Sequence, residues 1–342
     1  MGLTIYDVSE QAGVSIATVS RVLNGSANVS EKTRQKVLDV IDSSGYTPNA
    51  FARGLGLDTM RTIGILCADC SDLFIAKALY YLEQYLREND YDTILCCTGY
   101  ELERKQDCMD LLLSKRVDGV ILCGSNFLHD KDENNAYIRE AAASVPVMLL
   151  NAEYDCKNVY SALCDDHRSM MNAVKAMADA GRKEILYLYN SNSFSGQKKR
   201  SGYIAGLEAV GLPVKEEYQC YYPGSREDTD EMRNFITGLA DKGLSFDAII
   251  ASDDALALAA VRYARTAGKR IPEDLSIIGY NNSLLATCCD PELTSVDNQQ
   301  EILCKTLVHT LVSILNGENV PQKSIFYGEL IERDTMKLNK LK

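Results

Sequence analysis

The chain has little positive charge and little histidine for its length. Its 342 residues include 36 Lys and Arg against 48 Asp and Glu, so the net charge is −12. Sequence-independent nucleic-acid binding depends on many cations that neutralise phosphates, so this composition excludes a protein that coats nucleic acid. Only 3 histidines occur, and the 12 cysteines are scattered. Cys67 and Cys70 form one CxxC pair without a second, so zinc-site spacing is missing and no metal or cofactor is expected.

Long apolar runs are also missing. No apolar stretch approaches the 18 residues of a membrane helix, and the N-terminus lacks a signal-peptide pattern. We therefore expect a cytoplasmic, nucleoid-associated protein whose cysteines stay reduced, mostly as core thiols. The motifs GxSxG, GxxxxGK[ST] and HxxxH do not occur, so the sequence predicts no enzyme.

Residues 4–46 have the pattern of three short helices with a polar cap before each. Thr4, Ser15 and Ser30 are good N-caps, and Asp7 is placed to complete a capping box with Thr4. Gly13 suits a tight turn. Two helices joined by a short Gly-containing turn are typical of a DNA-binding helix-turn-helix. The residues predicted to face inward are Ile5, Val8, Ala12, Val19, Val22, Leu23, Val37, Leu38 and Ile41.

The second helix is the predicted recognition helix, which enters the major groove with its first turns against base edges. Ile16 and Ala17 allow close approach to thymine methyl groups, and Arg21 is long enough to reach guanine. The alternative is a plain three-helix core with solvated polar residues. The further predicted DNA contacts in this segment, mainly to phosphates, are Thr4, Tyr6, Ser15, Thr18, Ser20, Asn24 and Ser30.

These residues carry a family resemblance. TIYDV at 4–8, AGVSIATVSRVLNG at 12–25, TRQKV at 33–37 and GYTPNAFARGL at 45–55 closely resemble the headpiece of lactose-repressor-family transcription regulators, catabolite control proteins in particular. The resemblance implies that a short helix after Pro48 folds only on operator DNA, against its mate from a second subunit. Leu55 would then be a minor-groove wedge; the alternative is a linker that contains a leucine. The contacts implied for this hinge are Asn49, Ala52, Arg53 and Leu55.

From Thr62 onward, short apolar runs alternate with amphipathic helices. This rhythm predicts an α/β fold with doubly wound parallel sheets in two lobes, and it resembles the periplasmic-binding-protein-like core of the same family. We expect an all-α helix-turn-helix domain at 1–47, a hinge helix and linker at 48–61, and the two-lobed core at 62–342. The expected lobe boundaries are 62–161 plus 291–322 for the first lobe and 162–290 plus 323–342 for the second.

Ligands of such folds bind at the carboxyl ends of strands, so an effector is expected between the lobes. Ser252 and Asn281 stand where the family usually has Asn and Asp, which puts a standard sugar pocket in doubt. By the same resemblance, Arg200 stands where the family places an effector-binding arginine, which suits a phosphorylated or carboxylated ligand; the alternative is an arginine salt-bridged at a helix start. The residues that the resemblance assigns to the effector are Asp69, Phe74, Asn151, Arg200, Ser252, Asp253 and Asn281.

The resemblance implies a homodimer on a pseudo-palindromic operator, since no leucine heptads for a tetramer follow the core. We expect a transcriptional regulator, most simply a repressor, gated by a sugar or sugar phosphate. The resemblance also raises a phosphorylated carrier protein as co-regulator. The alternatives are a regulator that answers only to a protein partner and a solute-binding protein.

Overall fold

The structure is a computed structural model that describes residues 3–23, 28–46, 59–225 and 228–337. Its N-terminal part contains α1 (Ile5–Ala12), α2 (Ile16–Leu23) and α3 (Glu31–Ser44). Their small core has Val8, Val19 and Val37 fully buried at its centre. The predicted inward position of Leu38 is wrong, because that side chain is 37% exposed. Val40 packs against the core instead, since it lies nearly one helical turn beyond Val37.

The first lobe is a six-stranded parallel sheet with helices on both faces. Neighbouring strands follow the order β11-β5-β4-β3-β1-β2. Its strands are β1 (Thr62–Cys67), β2 (Asp92–Cys97), β3 (Gly119–Cys123), β4 (Val147–Leu150), β5 (Val159–Cys164) and β11 (Lys323–Phe326). Its helices are α4 (Leu73–Glu88), α5 (Leu102–Ser114), α6 (Ala136–Ala142) and α12 (Gln300–Leu315), with a 3-10 turn at Asp132–Asn135.

The second lobe repeats this plan with the order β12-β10-β9-β8-β6-β7, in which only the pairing of β10 with β12 is antiparallel. Its strands are β6 (Ile185–Tyr189), β7 (Gln219–Tyr221), β8 (Ala248–Ala251), β9 (Ser276–Tyr280), β10 (Ser295–Asp297) and β12 (Glu329–Ile331). Its helices are α7 (Asp166–Asp179), α8 (Phe194–Ala209), α9 (Thr229–Asp241), α10 (Asp254–Thr266) and α11 (Leu284–Cys288), with a 3-10 turn at Glu216–Tyr218.

The central strands are apolar along their whole length because helices cover both faces of each sheet. In β3, β4, β6, β8 and β9, for example, every residue is buried. This confirms the predicted doubly wound sheets. In the described part of the chain, no helix is long and apolar enough to cross a membrane.

The chain passes between the lobes three times, after β5, after β10 and after β11. All three expected lobe boundaries are therefore a few residues too early. β5 pairs in the first sheet as far as Cys164, although 162–290 was assigned to the second lobe. β10 pairs in the second sheet although 291–322 was assigned to the first lobe, and β11 pairs in the first sheet although 323–342 was assigned to the second. Backbone pairing decides these assignments, because β11 adds to the edge of the first sheet beside β5.

Candidate functional site

The first candidate site is the outward face of α2. Val19 and Val22 are buried in the headpiece core, whereas Ile16, Ala17 and Arg21 are exposed. The Ser15 hydroxyl accepts a hydrogen bond from the Thr18 amide at 3.2 Å, which caps the first turn of the helix. The residues predicted to approach base edges therefore share one accessible face.

The other predicted caps are confirmed. The Thr4 hydroxyl accepts from the Asp7 amide, and the Asp7 carboxylate accepts from the Thr4 amide and hydroxyl at 2.7 Å each. These bonds from Thr4 lower the pKa of Asp7. Gly13 ends α1 with φ +57°, and Ser30 accepts from the Thr33 amide at 3.3 Å.

The predicted phosphate contacts differ in accessibility. Thr4, Ser15 and Ser30 are exposed and Tyr6 is 68% exposed, while Thr18 and Ser20 are half-buried. Five predicted contacts lie outside the described residues: Asn24, Asn49, Ala52, Arg53 and Leu55.

The second candidate site is a cavity of about 410 Å³ between the two lobes, at the carboxyl ends of their strands. Its volume is in the usual range for small-molecule sites. Six of the predicted effector residues line it, namely Asp69, Phe74, Asn151, Ser252, Asp253 and Asn281. The other polar lining residues are Ser71, Asp72, Ser125, Asn126, Asn190, Ser191, Ser193, Ser195, Lys199, Thr229, Asp254 and Ser283.

Arg200, the seventh predicted effector residue, does not line the cavity. Its Nε donates to the Gln219 side chain of β7 at 2.8 Å. The neighbouring Lys199 lines the cavity instead and is only 8% exposed. Adjacent helical residues point about 100° apart, so only one of the two can face the cleft. The assignment of Arg200 to the effector is therefore wrong, and with it the argument for an anionic ligand.

Lys199 is held by two contacts on the cavity floor. Its Nζ donates to the Ser252 carbonyl at 2.9 Å and lies 3.7 Å from the ring centre of Tyr280. The Tyr280 hydroxyl donates in turn to the Asp166 carboxylate at 2.6 Å. Burial lowers the pKa of Lys199 and raises the pKa of Asp166, while the opposite charge of each partner favours the charged forms. Lys199 and Asp166 are thus a buried charge pair, and both contact Tyr280.

Asp166 also joins the two lobes. Its carboxylate accepts from the Ser195 hydroxyl at 2.5 Å and from the Asn151 amide group at 3.4 Å. Asn151 follows β4 of the first lobe, whereas Asp166 begins α7 of the second. The Asn151 side-chain oxygen accepts from the Cys164 amide at 3.1 Å, which fixes it beside the first crossing.

One hydroxyl at the cavity wall has no hydrogen-bond partner, although the Oγ atom of Ser252 is buried. Buried polar groups are normally hydrogen-bonded. Ser252 as a residue is 7% exposed. The Ser252 Oγ atom is shielded even from the cavity, so a ligand would reach it only after neighbouring side chains shift.

Carboxylates dominate the charge of the cavity wall. Asp69, Asp72, Asp253 and Asp254 line it together with a single cation, Lys199. Asp253 accepts from the Asn190 side chain at 2.7 Å and caps α10 through the Leu256 amide at 2.9 Å. Carboxylate oxygens have lone pairs for further donors, so the wall suits a ligand that is rich in hydrogen-bond donors.

Asp254 should make stability depend on pH. Burial raises its pKa from 3.8 to about 6 despite bonds from the Ser295 hydroxyl and the Ser283 amide. A raised folded-state pKa contributes stability below about pH 4 that is lost as pH rises through 6. Between pH 5 and 8 the wild type should therefore lose roughly 1 kcal/mol relative to Asp254→Asn. Urea unfolding of both proteins at each pH measures this; parallel pH profiles would contradict it.

Comparison with known proteins identifies the family. Residues 4–49 match the model for bacterial regulatory proteins of the lacI family, and residues 174–336 match a periplasmic binding protein-like domain. An HTH-type transcriptional regulator of Lachnoclostridium phytofermentans is 55% identical over 333 residues, covering 97% of this chain and 99% of the relative. The chain belongs to the lacI family. It is accordingly a helix-turn-helix, DNA-binding transcriptional regulator.

Other lacI-family proteins match along nearly the whole chain. Catabolite control protein A of Priestia megaterium is 31% identical over 335 residues, covering 97% of this chain and 98% of the relative. The fold matches a lac repressor dimer bound to operator and the anti-inducer ONPF with a TM-score of 0.87 at 23% identity, covering 98% and 99% of the chains. The regulator CelR in complex with cellobiose matches with a TM-score of 0.71 at 26% identity, covering 98% and 100%.

Within the described residues, no group of three or more His, Cys, Asp or Glu side chains is arranged to hold a metal ion. Sequence reasoning missed Lys199, Asp166 and Tyr280. Asp166 was missed because an aspartate at the start of a helix is normally interpreted as an exposed residue that caps the helix.

Proposed function

We propose that this lacI-family regulator is a homodimer that represses transcription from a pseudo-palindromic operator and is gated by a small molecule in the interlobe cavity. The cavity is the observation that supports gating, because residues of both lobes line it. A ligand shifts a conformational equilibrium only by its differential affinity for the two states. A cavity shared by two lobes supplies that difference, because closure changes the contacts available to the ligand.

The effector that fits this wall is an uncharged sugar. Hydroxyl groups of a sugar donate to the carboxylates of Asp69 and Asp253, and the serine and asparagine side chains offer both donors and acceptors. Phe74 and Leu258 add apolar surface for a sugar ring. The similar regulator CelR is in complex with cellobiose. A phosphate ester would meet four carboxylates and one lysine that is already engaged, so we propose an unphosphorylated ligand.

A thermal-shift screen tests gating and effector charge together. Neutral mono- and disaccharides, their phosphate esters and nucleosides are compared on the full-length protein. A ligand at 100 times its Kd should add about 2.7 kcal/mol of stability. We expect the phosphate ester of an active sugar to bind at least about tenfold more weakly, roughly 1.4 kcal/mol.

The outcomes of this screen separate three ideas. Binding of phosphate esters alone would overturn the proposed effector charge and leave gating intact. If no compound shifts the unfolding temperature, the regulator is controlled by a protein partner instead. A phosphorylated carrier protein is then the first candidate to test. Binding of a sugar without any change in operator affinity would favour a solute-binding role.

Arg21 is proposed to read a base. It is exposed on α2, on the side of the helix opposite the buried Val19 and Val22. Arg21→Ala should weaken operator binding by about 1–3 kcal/mol and relax the preference at one base pair per half-site. Titrations of single-base operator variants measure both effects.

The matched control is Lys32→Ala, which removes one exposed charge from α3. Loss of a phosphate contact should weaken every duplex alike. If Arg21→Ala also weakens all operator variants by the same factor, Arg21 contacts backbone rather than bases.

A further inference from the structure

Three thiols meet where β1 and β2 end. Cys67 and Cys97 are the last residues of the two parallel strands and lie opposite each other in register. Their sulfur atoms are 3.6 Å apart. Cys70, in the loop after β1, is hydrogen-bonded to Cys97 as well. Cys97 therefore contacts both cysteines of the CxxC pair, which the regulatory function does not use.

The three thiols differ in access to solvent. Cys97 and Cys70 are exposed, whereas Cys67 is buried. Burial and then the hydrogen bond with Cys97 raise the pKa of Cys67, and the hydrogen bond with Cys97 is the main cause that raises the pKa of Cys70. Both therefore keep their protons and are placed to donate to the Cys97 sulfur. An oxidant from solvent therefore has access to Cys97, whose sulfur is already in contact with a second thiol.

We propose that Cys97 is an oxidation site for peroxides, and that Cys67 or Cys70 captures its oxidised form as a disulfide. In the first step the Cys97 sulfur attacks hydrogen peroxide, the O–O bond breaks, and a sulfenic acid and water form. In the second step the sulfur of Cys67 or Cys70 attacks the sulfenic sulfur, and the S–O bond breaks with release of a second water. Two thiols are oxidised to one disulfide while one peroxide is reduced.

The strand geometry permits this bond. Neighbouring strands lie about 4.8 Å apart, which is within the range of about 4.4–6.8 Å for Cα atoms joined by a disulfide. Either bond would tie the edge strand β2 to the start of the segment that carries Asp69, Asp72 and Phe74 to the cavity wall. The inference concerns the chemistry of these thiols and does not depend on the identity of the effector.

The test uses the reduced full-length protein treated with a few equivalents of hydrogen peroxide under native conditions. Differential alkylation and peptide mass mapping then locate each oxidised cysteine. We expect a peptide that links Cys97 to Cys67 or Cys70 and disappears with dithiothreitol. In Cys97→Ser the loss of free thiols at Cys67 and Cys70 should be at least about tenfold slower, since Cys97 is the exposed thiol that is hydrogen-bonded to both of the others.

Two further variants control for oxidation elsewhere in the protein and for the role of the capturing thiol. Cys288→Ser removes an exposed thiol elsewhere and should leave the linked peptide unchanged. In the double variant Cys67→Ser, Cys70→Ser, Cys97 should advance to the sulfinic acid because no thiol captures it. The proposal is overturned if wild-type Cys97 stays fully alkylatable, or if it is linked to any other cysteine. The wild-type map decides this even where the double variant fails to fold.

Discussion

Lys199→Met should destabilise the protein by about 3–5 kcal/mol at pH 7.5, the usual cost of removing one partner from a buried charge pair. Lys199 lies over the ring of Tyr280, and its charge favours the ionised carboxylate of Asp166. Methionine fills similar space but leaves Asp166 buried without a cation. Protonation of Asp166 relieves the cost, so the loss should shrink by up to about 1.4 kcal/mol for each pH unit below 7.5. Urea unfolding at pH 7.5 and 5.5 measures both the loss and its pH dependence.

Arg200→Met is the matched control, since the neighbouring cation contacts Gln219 outside the cavity. Its loss should be about 1 kcal/mol, the net value of an ordinary hydrogen bond, and independent of pH. Equal destabilisation by the two variants, or a Lys199→Met loss that grows as the pH falls, would contradict the charge-pair account.

The choice between Lys199 and Arg200 shows where sequence reasoning fails. The buried side of α8 includes Gly196, Gly202 and Gly206 rather than a full row of large apolar residues. At Gly202, a Cβ atom would lie 2.1 Å from the His167 carbonyl, so α7 and α8 pack backbone against backbone. A helix that packs through glycines carries little hydrophobic periodicity, and its orientation cannot be assigned from the pattern.

Strand length explains the lobe boundaries misplaced at β10 and β11. The long buried strands, such as β1 and β3, read as continuous apolar runs and were predicted. β10 has only three residues, SVD. β11 has four, KSIF, which alternate in exposure at the edge of the first sheet. Segments this short have too few residues to show a periodic pattern of apolar side chains. Pairing with distant strands decides which sheet they join.

The headpiece was predictable because its signals are local. Caps at Thr4, Ser15 and Ser30 and the left-handed Gly13 are contacts within four residues of chain. The cavity wall was largely predictable for a related reason: parallel strands bring their carboxyl ends to one edge, so residues that follow strands converge whatever their separation in sequence.

The crossings would carry the proposed coupling between effector and operator. Asn151 of the first lobe bonds Asp166 of the second beside the first crossing, and both lie next to the cavity. Lobe closure around a ligand would alter these contacts and the relative angle of the first lobes in a dimer. Such coupling is typically about 1–3 kcal/mol, enough to change operator occupancy substantially.

The hinge should show the largest effect on DNA binding. Leu55 lies outside the described residues, and its role rests on the GYTPNAFARGL resemblance to the lacI family. A leucine wedge is inserted only where the operator kinks, and the kink permits the further contacts that distinguish operator from bulk duplex. Leu55→Ala should therefore weaken operator binding about 100-fold, roughly 2.7 kcal/mol, and leave binding to random duplex within about twofold. Titrations of both duplexes at one fixed salt concentration measure the two affinities.

Leu57→Ala is the matched control, because it removes the same side chain two residues away in the same GLGL run. A wedge acts at one position, so Leu57→Ala should cost far less than Leu55→Ala on the operator. A general loss of hinge packing would instead weaken operator binding similarly in both variants. Equal losses on operator and random duplex in Leu55→Ala would show that Leu55 supports contact with any DNA, because a wedge acts only where the sequence allows the duplex to kink.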